Sequence, residues 1–200
     1  MRYFDIQKPT LDSTRLMFKE LESDNRTSKI DLGIGIYRDE KGEAPVFKAV
    51  KKAEAILLET EVSKSYKTPA GNYEYCNNIL ELVLGKDIIN ERGDKIGAIQ
   101  IPGAGSGLRI AGELIKNKLK NNLISIPNPT WGQQTFMFQK SGLKILKHTY
   151  YDNANNLLNF DEMILDLNKL KSGDALLLHG CCHNPTGSDL NIDQWEKVAK

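Results

Sequence analysis

The alternation of apolar and polar residues predicts helices first and then a regular exchange of strands and helices. Apolar residues recur at helical spacing over residues 14–24, 46–59 and 72–84, and residues 29–37 are predicted to be extended. Predicted strands then cover residues 96–101, 123–126, 143–149 and 175–178. Predicted helices lie between them, one ending near residue 120 and others over 133–140 and 161–170. This order is typical of an α/β fold with a mainly parallel sheet.

Charge and cysteine content exclude several kinds of partner. The 200 residues include 27 basic and 26 acidic ones, so no charge excess favours nucleic acid or an acidic membrane. No segment has the length of a membrane span or the pattern of a secretion signal. The three cysteines are too few for a disulfide framework, and the adjacent Cys181 and Cys182 would pair only in a strained ring. A cytoplasmic location without nucleic-acid or membrane partners is therefore expected.

A polar turn, HGCCHNPTG, occupies residues 179–187 directly after the apolar run 175–178. Asn184, Pro185 and Gly187 are turn-forming residues, and the start of a helix is expected from residue 191. Open α/β sheets bind ligands at such strand ends. The histidines and cysteines also allow a zinc cluster, although no second ligand pair is present, or a strand end with no role beyond structure.

A glycine-rich segment, PGAGSGLRIAGELI, spans residues 102–115 between a predicted strand and a predicted helix. Backbone N–H groups in such a loop, together with the helix N-terminus, can hold a phosphate. The Walker loop is excluded because no Gly-Lys-Ser/Thr follows, and the dinucleotide fingerprint fails because its third glycine would fall on Leu108. A plain connection between strand and helix is the alternative.

A third segment, PNPTW at residues 127–131, leaves one predicted strand and enters a helix. The indole of Trp131 offers a flat apolar face for stacking on a ring, or it anchors a helix start at the surface. Together and in this order, the three segments resemble those of the class I aminotransferases, in particular the aspartate and aromatic amino-acid branch. The resemblance implies the type I fold of enzymes that depend on pyridoxal phosphate, and a homodimer with shared active sites.

The resemblance also assigns residues to the cofactor. The backbone N–H groups of Ala104 and Gly105 would bind its phosphate, and Trp131 would cover its ring. Asn184 would donate a hydrogen bond to the ring hydroxyl oxygen, with His179 close to the ring. Family members usually carry a threonine where this chain has Gly105, so one hydroxyl contact is expected to be missing.

Further assignments concern the substrate and the neighbouring subunit. Gly35, in the segment LGIGIY, would offer its N–H to the substrate carboxylate, and Trp131 and Asn184 would line the same pocket. Tyr66 would reach the phosphate bound by the other subunit. Relatives often have a histidine where this chain has Gln134, so the surroundings of the cofactor ring nitrogen are expected to differ.

The resemblance covers about the first half of a family member. Residues 1–44 would form an N-terminal arm and part of a small domain, and residues 45–200 the first part of the large domain that binds pyridoxal phosphate. The lysine that carries the cofactor has no counterpart in this chain, so no catalytic residue and no metal ligand is assigned. The implied activity is amino-group transfer between aspartate and 2-oxoglutarate, from amino acid to 2-oxo acid. Aromatic substrates, or a non-catalytic fragment, are the alternatives, and the chain alone is expected to be inactive.

Overall fold

The computed structural model describes residues 13–31, 33–66 and 68–200. Its contacts divide the chain into two units, Met1–Ser65 and Tyr66–Lys200. Residues 1–12 of the expected arm and Leu32 of the segment around Gly35 lie outside the described residues. The domain boundary after residue 44 stays a prediction.

Helices and short strands alternate along the described chain. The helices are α1 (Ser13–Ser23), α2 (Lys48–Thr60), α3 (Tyr73–Leu84), α4 (Lys86–Arg92), α5 (Ala104–Lys118), α6 (Gly132–Lys140), α7 (Phe160–Leu167) and α8 (Ile192–Ala199). The strands are β1 (Leu123–Asn128), β2 (Lys144–Thr149), β3 (Tyr151–Asp152), β4 (Leu157–Leu158) and β5 (Ala175–Leu176). A turn of 3-10 helix, Gly93–Lys95, follows α4.

The N-terminal unit contains α1 and α2, which confirms both helices predicted from the apolar spacing. The residues expected to be extended, 29–37, contain no strand in their described part. Short local contacts shape this segment instead: the Gly33 N–H donates to the Asp31 carboxylate over 2.9 Å. Asp39 likewise accepts the N–H groups of Lys41 and Glu43, each over 2.9 Å.

A parallel three-stranded sheet organises the C-terminal unit, in the order β2–β1–β5. The central strand β1 is an apolar run because both of its faces are covered, as is usual for parallel sheets. Its Ile124 and Ile126 are buried with Phe138 of α6, Leu143 and Ala175. The α/β fold with a parallel sheet is thereby confirmed.

A second apolar cluster lies beyond the sheet. Tyr150, Met163 and Leu190 are buried together, with Trp195 and Val198 of α8 packed against them. The helix α8 begins with a capping box: Asn191 accepts the Gln194 N–H over 2.9 Å, and Gln194 accepts the Asn191 N–H over 2.9 Å. This cluster anchors both ends of the turn that contains Asn184.

Several predicted bounds were wrong. Residues 96–101 form no strand, because a strand needs a neighbour and the backbone bond here is a single one, from the Gln100 N–H to the Ala70 carbonyl over 2.9 Å. The last strand is shorter than predicted and ends at Leu176, and α7 ends at Leu167. The sequence analysis also missed α4 and the antiparallel pair of β3 with β4.

Candidate active site

Two of the three sequence segments meet at one edge of the sheet. Strand β1 runs towards Trp131 and β5 runs towards His179. The two strands are parallel neighbours, and the Leu177 N–H donates to the Ser125 carbonyl over 2.8 Å just beyond the named part of β5. Because parallel strands end at the same edge, both turns leave the sheet side by side.

His179 connects the turn at Asn184 to helix α6. The Asn184 N–H donates to His179 Nδ1 over 3.1 Å, so the imidazole proton lies on Nε2. From there it faces the Gln134 side-chain amide, with Nε2 at 2.9 Å and Oε1 at 3.2 Å, and it donates to the oxygen because a protonated Nε2 cannot accept. Burial lowers the pKa of His179, and the Asp189 charge opposes this only in part, so the surroundings favour the neutral ring.

Gln134 stands at the start of α6, immediately behind Trp131. Its backbone N–H donates to the Trp131 carbonyl over 2.9 Å, and its side chain is buried. The hydroxyl of Thr130 donates to the same Gln134 Oε1 that accepts the His179 proton. Trp131 itself is 36% exposed. The contact between Gln134 and His179 was not predicted from the sequence.

The glycine-rich segment is shorter as a loop than predicted. Only Gly103 among its glycines has a left-handed φ, +116°, and it precedes α5; Gly105 and Gly107 lie inside the helix. The helical ladder starts with the Gly107 N–H donating to the Gly103 carbonyl over 3.3 Å. The N–H groups of Ala104 and Gly105 therefore have no acceptor within the helix and lie at its positive end.

The start of α5 lies against α6, the helix that Trp131 precedes. A Cβ atom built on Gly105 would be 3.6 Å from Met137 Cε, which is ordinary contact distance. Helix α6 therefore touches the N-terminus of α5 through Met137 and the turn at His179 through Gln134. The free N–H groups of Ala104 and Gly105, the indole of Trp131 and the exposed Asn184 are arranged around this one helix.

Asp189 shapes the turn that presents Asn184. Its two carboxylate oxygens accept the Cys182 N–H over 2.7 Å and the His183 N–H over 2.8 Å. These backbone bonds, that of His183 first, lower the pKa of Asp189. The imidazole of His183 stacks on Tyr150 with 3.9 Å between ring centroids. The Asn184–Pro185 and Asn128–Pro129 peptide bonds are cis. The role of Asp189 was missed because nothing in the sequence shows where its carboxylate reaches.

Two further predicted residues lie outside the contacts described above. Gly35 lies in the N-terminal unit, is exposed, and has nothing within 4 Å of the position of a Cβ atom. Tyr66 begins the C-terminal unit and is 92% exposed. Their roles towards substrate and neighbouring subunit stay predictions.

The described residues offer no alternative built on a metal. Within 13–31, 33–66 and 68–200, no three histidine, cysteine or acidic side chains are grouped as metal ligands. In the same part of the chain, no helix is both long and apolar enough to cross a membrane.

A parallel sheet whose strands β1 and β5 lead into two turns at its carboxyl edge defines an α/β protein, and open α/β sheets bind ligands at such an edge. A family model described as "Aminotransferase class I and II" matches residues 27–200. The chain belongs to this family, as the resemblance implied.

The matched relatives are about twice as long as this chain. An aspartate aminotransferase from Escherichia coli is 39% identical over 180 residues, which are 89% of this chain and 45% of the relative. An aromatic-amino-acid aminotransferase from Pseudomonas aeruginosa is 39% identical over 179 residues, 88% of this chain and 44% of the relative.

A solved structure confirms the fold expected from the resemblance. It is an aromatic-amino-acid aminotransferase from Burkholderia pseudomallei covalently bound to pyridoxal phosphate, 31% identical, with a TM-score of 0.89. The likeness covers 99% of this chain and 50% of that one.

Proposed function

We propose that the protein is an aminotransferase that uses pyridoxal phosphate to move an amino group between aspartate and 2-oxoglutarate. The observation that carries the proposal is the arrangement around α6, where Gln134 binds His179 and His179 accepts the Asn184 N–H. This chain would supply the first part of the cofactor domain.

The described residues fit the cofactor in charge and shape. Its phosphate is an anion, and the Ala104 and Gly105 N–H groups at the positive end of α5 suit an anion. Its ring is flat and aromatic, and the partly exposed indole of Trp131 is suited to stacking on it. When bound, pyridoxal phosphate supplies an electron sink for negative charge at the α-carbon of an amino acid.

The protein residues contribute orientation. The stacked Trp131 would exclude water from one face of the ring, and the Asn184 amide would donate to the ring hydroxyl oxygen. His179 binds the backbone N–H of Asn184, and His179 and Thr130 both contact Gln134. The direction of the Asn184 side-chain amide therefore depends on Gln134 and Thr130. The threonine hydroxyl that is missing at Gly105 would cost one hydrogen bond, about 0.5–1.5 kcal/mol.

Aspartate is proposed as the substrate because three bacterial relatives at 38–39% identity are aspartate aminotransferases. The equal identity to an aromatic-amino-acid aminotransferase supports aromatic substrates as the second candidate. Comparing the rates of the complete protein with aspartate and with tyrosine, each with 2-oxoglutarate, distinguishes the two. A homodimer with Tyr66 reaching the neighbouring site, Gly35 at the substrate carboxylate, and a cytoplasmic location belong to the same proposal.

The cofactor assignment is tested by titrating the 200-residue chain with pyridoxal phosphate and following indole fluorescence and cofactor absorbance. We expect Trp131→Ala to weaken binding roughly tenfold, since a stacked aromatic pair contributes about 0.5–1.5 kcal/mol beyond its buried area. Phe136→Ala is the matched control, because Phe136 is likewise an exposed aromatic residue and lies on α6, close in sequence to Trp131. Equal loss in both variants would refute the assignment of Trp131.

Asn184→Ala should weaken binding by a similar or larger factor, since hydrogen bonds to charged groups contribute about 1.5–3 kcal/mol. Asn153→Ala, at another exposed asparagine, is its control and should bind normally. We also expect the 200-residue chain with added cofactor to transfer no amino group, because it lacks a matching lysine. Turnover of aspartate by this chain alone would contradict that expectation.

A further inference from the structure

Two adjacent thiols lie on the turn before Asn184, and the proposed transfer of amino groups uses neither. Cys181 and Cys182 are both free and exposed. Cys182 has a φ of +54°, a left-handed conformation that residues other than glycine seldom adopt. The Asp189 carboxylate holds the Cys182 N–H over 2.7 Å and the next N–H, that of His183, over 2.8 Å. The turn that carries the two thiols is therefore fixed.

The two thiols belong to consecutive residues, whose Cα atoms lie about 3.8 Å apart, so one atom can reach both sulfurs. The neighbouring Cys181 side chain is the first of the causes that raise the pKa of Cys182. Both thiols are open to solvent on this turn. The remaining cysteine, Cys76, is buried on α3 and 6% exposed.

A direct disulfide is not the natural product of this pair. It would close a small ring through the Cys181–Cys182 peptide bond, and an S–S bond of about 2.05 Å with its preferred torsion strains such a ring. A single atom that bonds both sulfurs enlarges the ring and removes the need for the short S–S bond. The bridging atom must be soft, because sulfur ligands select soft partners.

A metal ion is a poor candidate for that atom. Metal sites rich in sulfur use three or four protein ligands, and no such group exists among residues 13–31, 33–66 and 68–200. Trivalent arsenic with one organic substituent needs only two sulfur atoms to complete its bonds.

We propose that Cys181 and Cys182 form a bidentate binding site for organic trivalent arsenicals of the type R–As(OH)₂. Each thiol forms one As–S bond, and its proton leaves with one hydroxyl group of the arsenical as water. Two As–S bonds form, two As–O bonds and two S–H bonds break, and two water molecules leave. Arsenic stays trivalent, so the reaction needs no oxidant or reductant. The proposal does not depend on the proposed aminotransferase activity.

Phenylarsine oxide, which hydrates to this type of compound, is the probe for the native chain. Intact-mass measurement should show one phenylarsenic group per chain. Thiol titration after unfolding should fall from three reactive thiols to one, because Cys76 remains free. Excess glutathione should leave the adduct in place and dimercaptopropanol should remove it, since only a second dithiol competes with a bidentate site.

Variants separate two-point from one-point binding. Cys181→Ser and Cys182→Ser should each weaken binding on the order of a hundredfold, because the second bond forms at a high effective concentration. Cys76→Ser, with the single buried thiol replaced, should behave like the unmodified sequence. Affinity unchanged in either turn variant, or lost in Cys76→Ser, would overturn the proposal. So would three free thiols in the treated unmodified chain, a result that requires no variant to fold.

A synthetic peptide of residues 178–187 tests the contribution of the fold. It contains both cysteines but lacks Asp189, so it must order its turn on binding. We expect the peptide to bind phenylarsine oxide more weakly than the native chain does. Equal affinity would overturn the inference that the structure holds the two thiols ready.

Discussion

Replacing His148 by asparagine should make the protein less sensitive to mild acid. His148 lies on β2, is 1% exposed, and its Nδ1 is 2.9 Å from the Ser125 hydroxyl of β1. Its Nε2 is buried and has no hydrogen-bond partner among the described residues. Burial, with a smaller contribution from His183 and against the opposing charge of Asp166, lowers the pKa of His148 to about 4.

The direction of the pH dependence follows from the protonation of His148 in the folded and in the unfolded chain. Above pH 6.5, His148 is neutral both in the fold and in the unfolded chain, so its titration costs no stability. As the pH falls from 6.5 to about 4, the unfolded chain binds a proton that the folded chain does not bind. At about 1.36 kcal/mol per pH unit, the free energy of unfolding falls by about 3 kcal/mol over this range from His148 alone.

Urea unfolding at several pH values measures this contribution. Asparagine keeps a polar atom near Ser125 but does not titrate, so His148→Asn should be destabilised near pH 7 by the lost packing. The difference in the free energy of unfolding between the variant and the unmodified protein should then shift by about 3 kcal/mol in favour of the variant as the pH approaches about 4. Lys147→Asn, at the exposed neighbouring residue, is the control: its difference in the free energy of unfolding from the unmodified protein should stay constant over this pH range. Parallel stability curves for His148→Asn and the unmodified protein from pH 7 to about 4 would refute the reasoning.

Three further changes test packing and capping by urea unfolding. Asn191→Ala removes one half of the capping box and should cost about 1 kcal/mol. Gly112→Ala should cost about 1–3 kcal/mol, because its Cβ would lie 2.7 Å from Ser141 Cβ where α5 crosses the end of α6, and adding Ser141→Gly should recover much of that. Tyr150→Phe removes a 2.6 Å bond to the Ser188 carbonyl and should cost about 1 kcal/mol.

Specific outcomes would contradict these three expectations. For Asn191→Ala, a loss no larger than that of Asn153→Ala would mean that the capping box does not stabilise α8. For Gly112→Ala, no recovery on adding Ser141→Gly would place the strain elsewhere. Ultraviolet titration gives a second readout for Tyr150, since burial first and the Asp189 charge second raise its pKa to about 12. A tyrosine titration complete near pH 10 would contradict that environment.

Local patterns predicted the elements that carry their own signals. The strands β1 and β2 are apolar or alternating runs bounded by turn residues, and both formed close to the predicted bounds. Helix α3 formed between Asn72, which caps its start, and Gly85, which ends it. The short α4, of seven residues with Asp87 and Arg92 at its ends, carries too little apolar periodicity to be predicted.

The failed strand at 96–101 shows the limit of such patterns. An apolar run states that a segment can be extended and buried, but a strand forms only where another strand supplies hydrogen bonds. Among the described residues the backbone of this segment has one such bond, from Gln100 to Ala70. The partner that decides whether a strand forms is not encoded in the segment itself.

The candidate site was likewise predicted only in part: its exposed residues were predicted, but the contacts that orient them were not. Trp131 and Asn184 were predicted because strand ends and turn residues are local features. The contacts that orient them were not: Gln134 and His179 are 45 positions apart, and only the parallel pairing of β1 with β5 brings their turns together. Asp189 reaches back to Cys182 from the far side of the turn, which no spacing rule predicts.

Helix α6 links the stability of the core to the geometry of the site. Its Phe138 is buried among Ile124 and Ile126 of β1, one turn beyond the Gln134 that binds His179. A displacement of α6 would therefore move Trp131 and loosen the support of Asn184 at the same time. Because Phe138 of the helix is buried against the central strand, the proposed cofactor site takes its geometry from a helix held by the buried cluster. A change in the core such as Gly112→Ala would reach that site through α6, without touching any residue proposed to bind the cofactor.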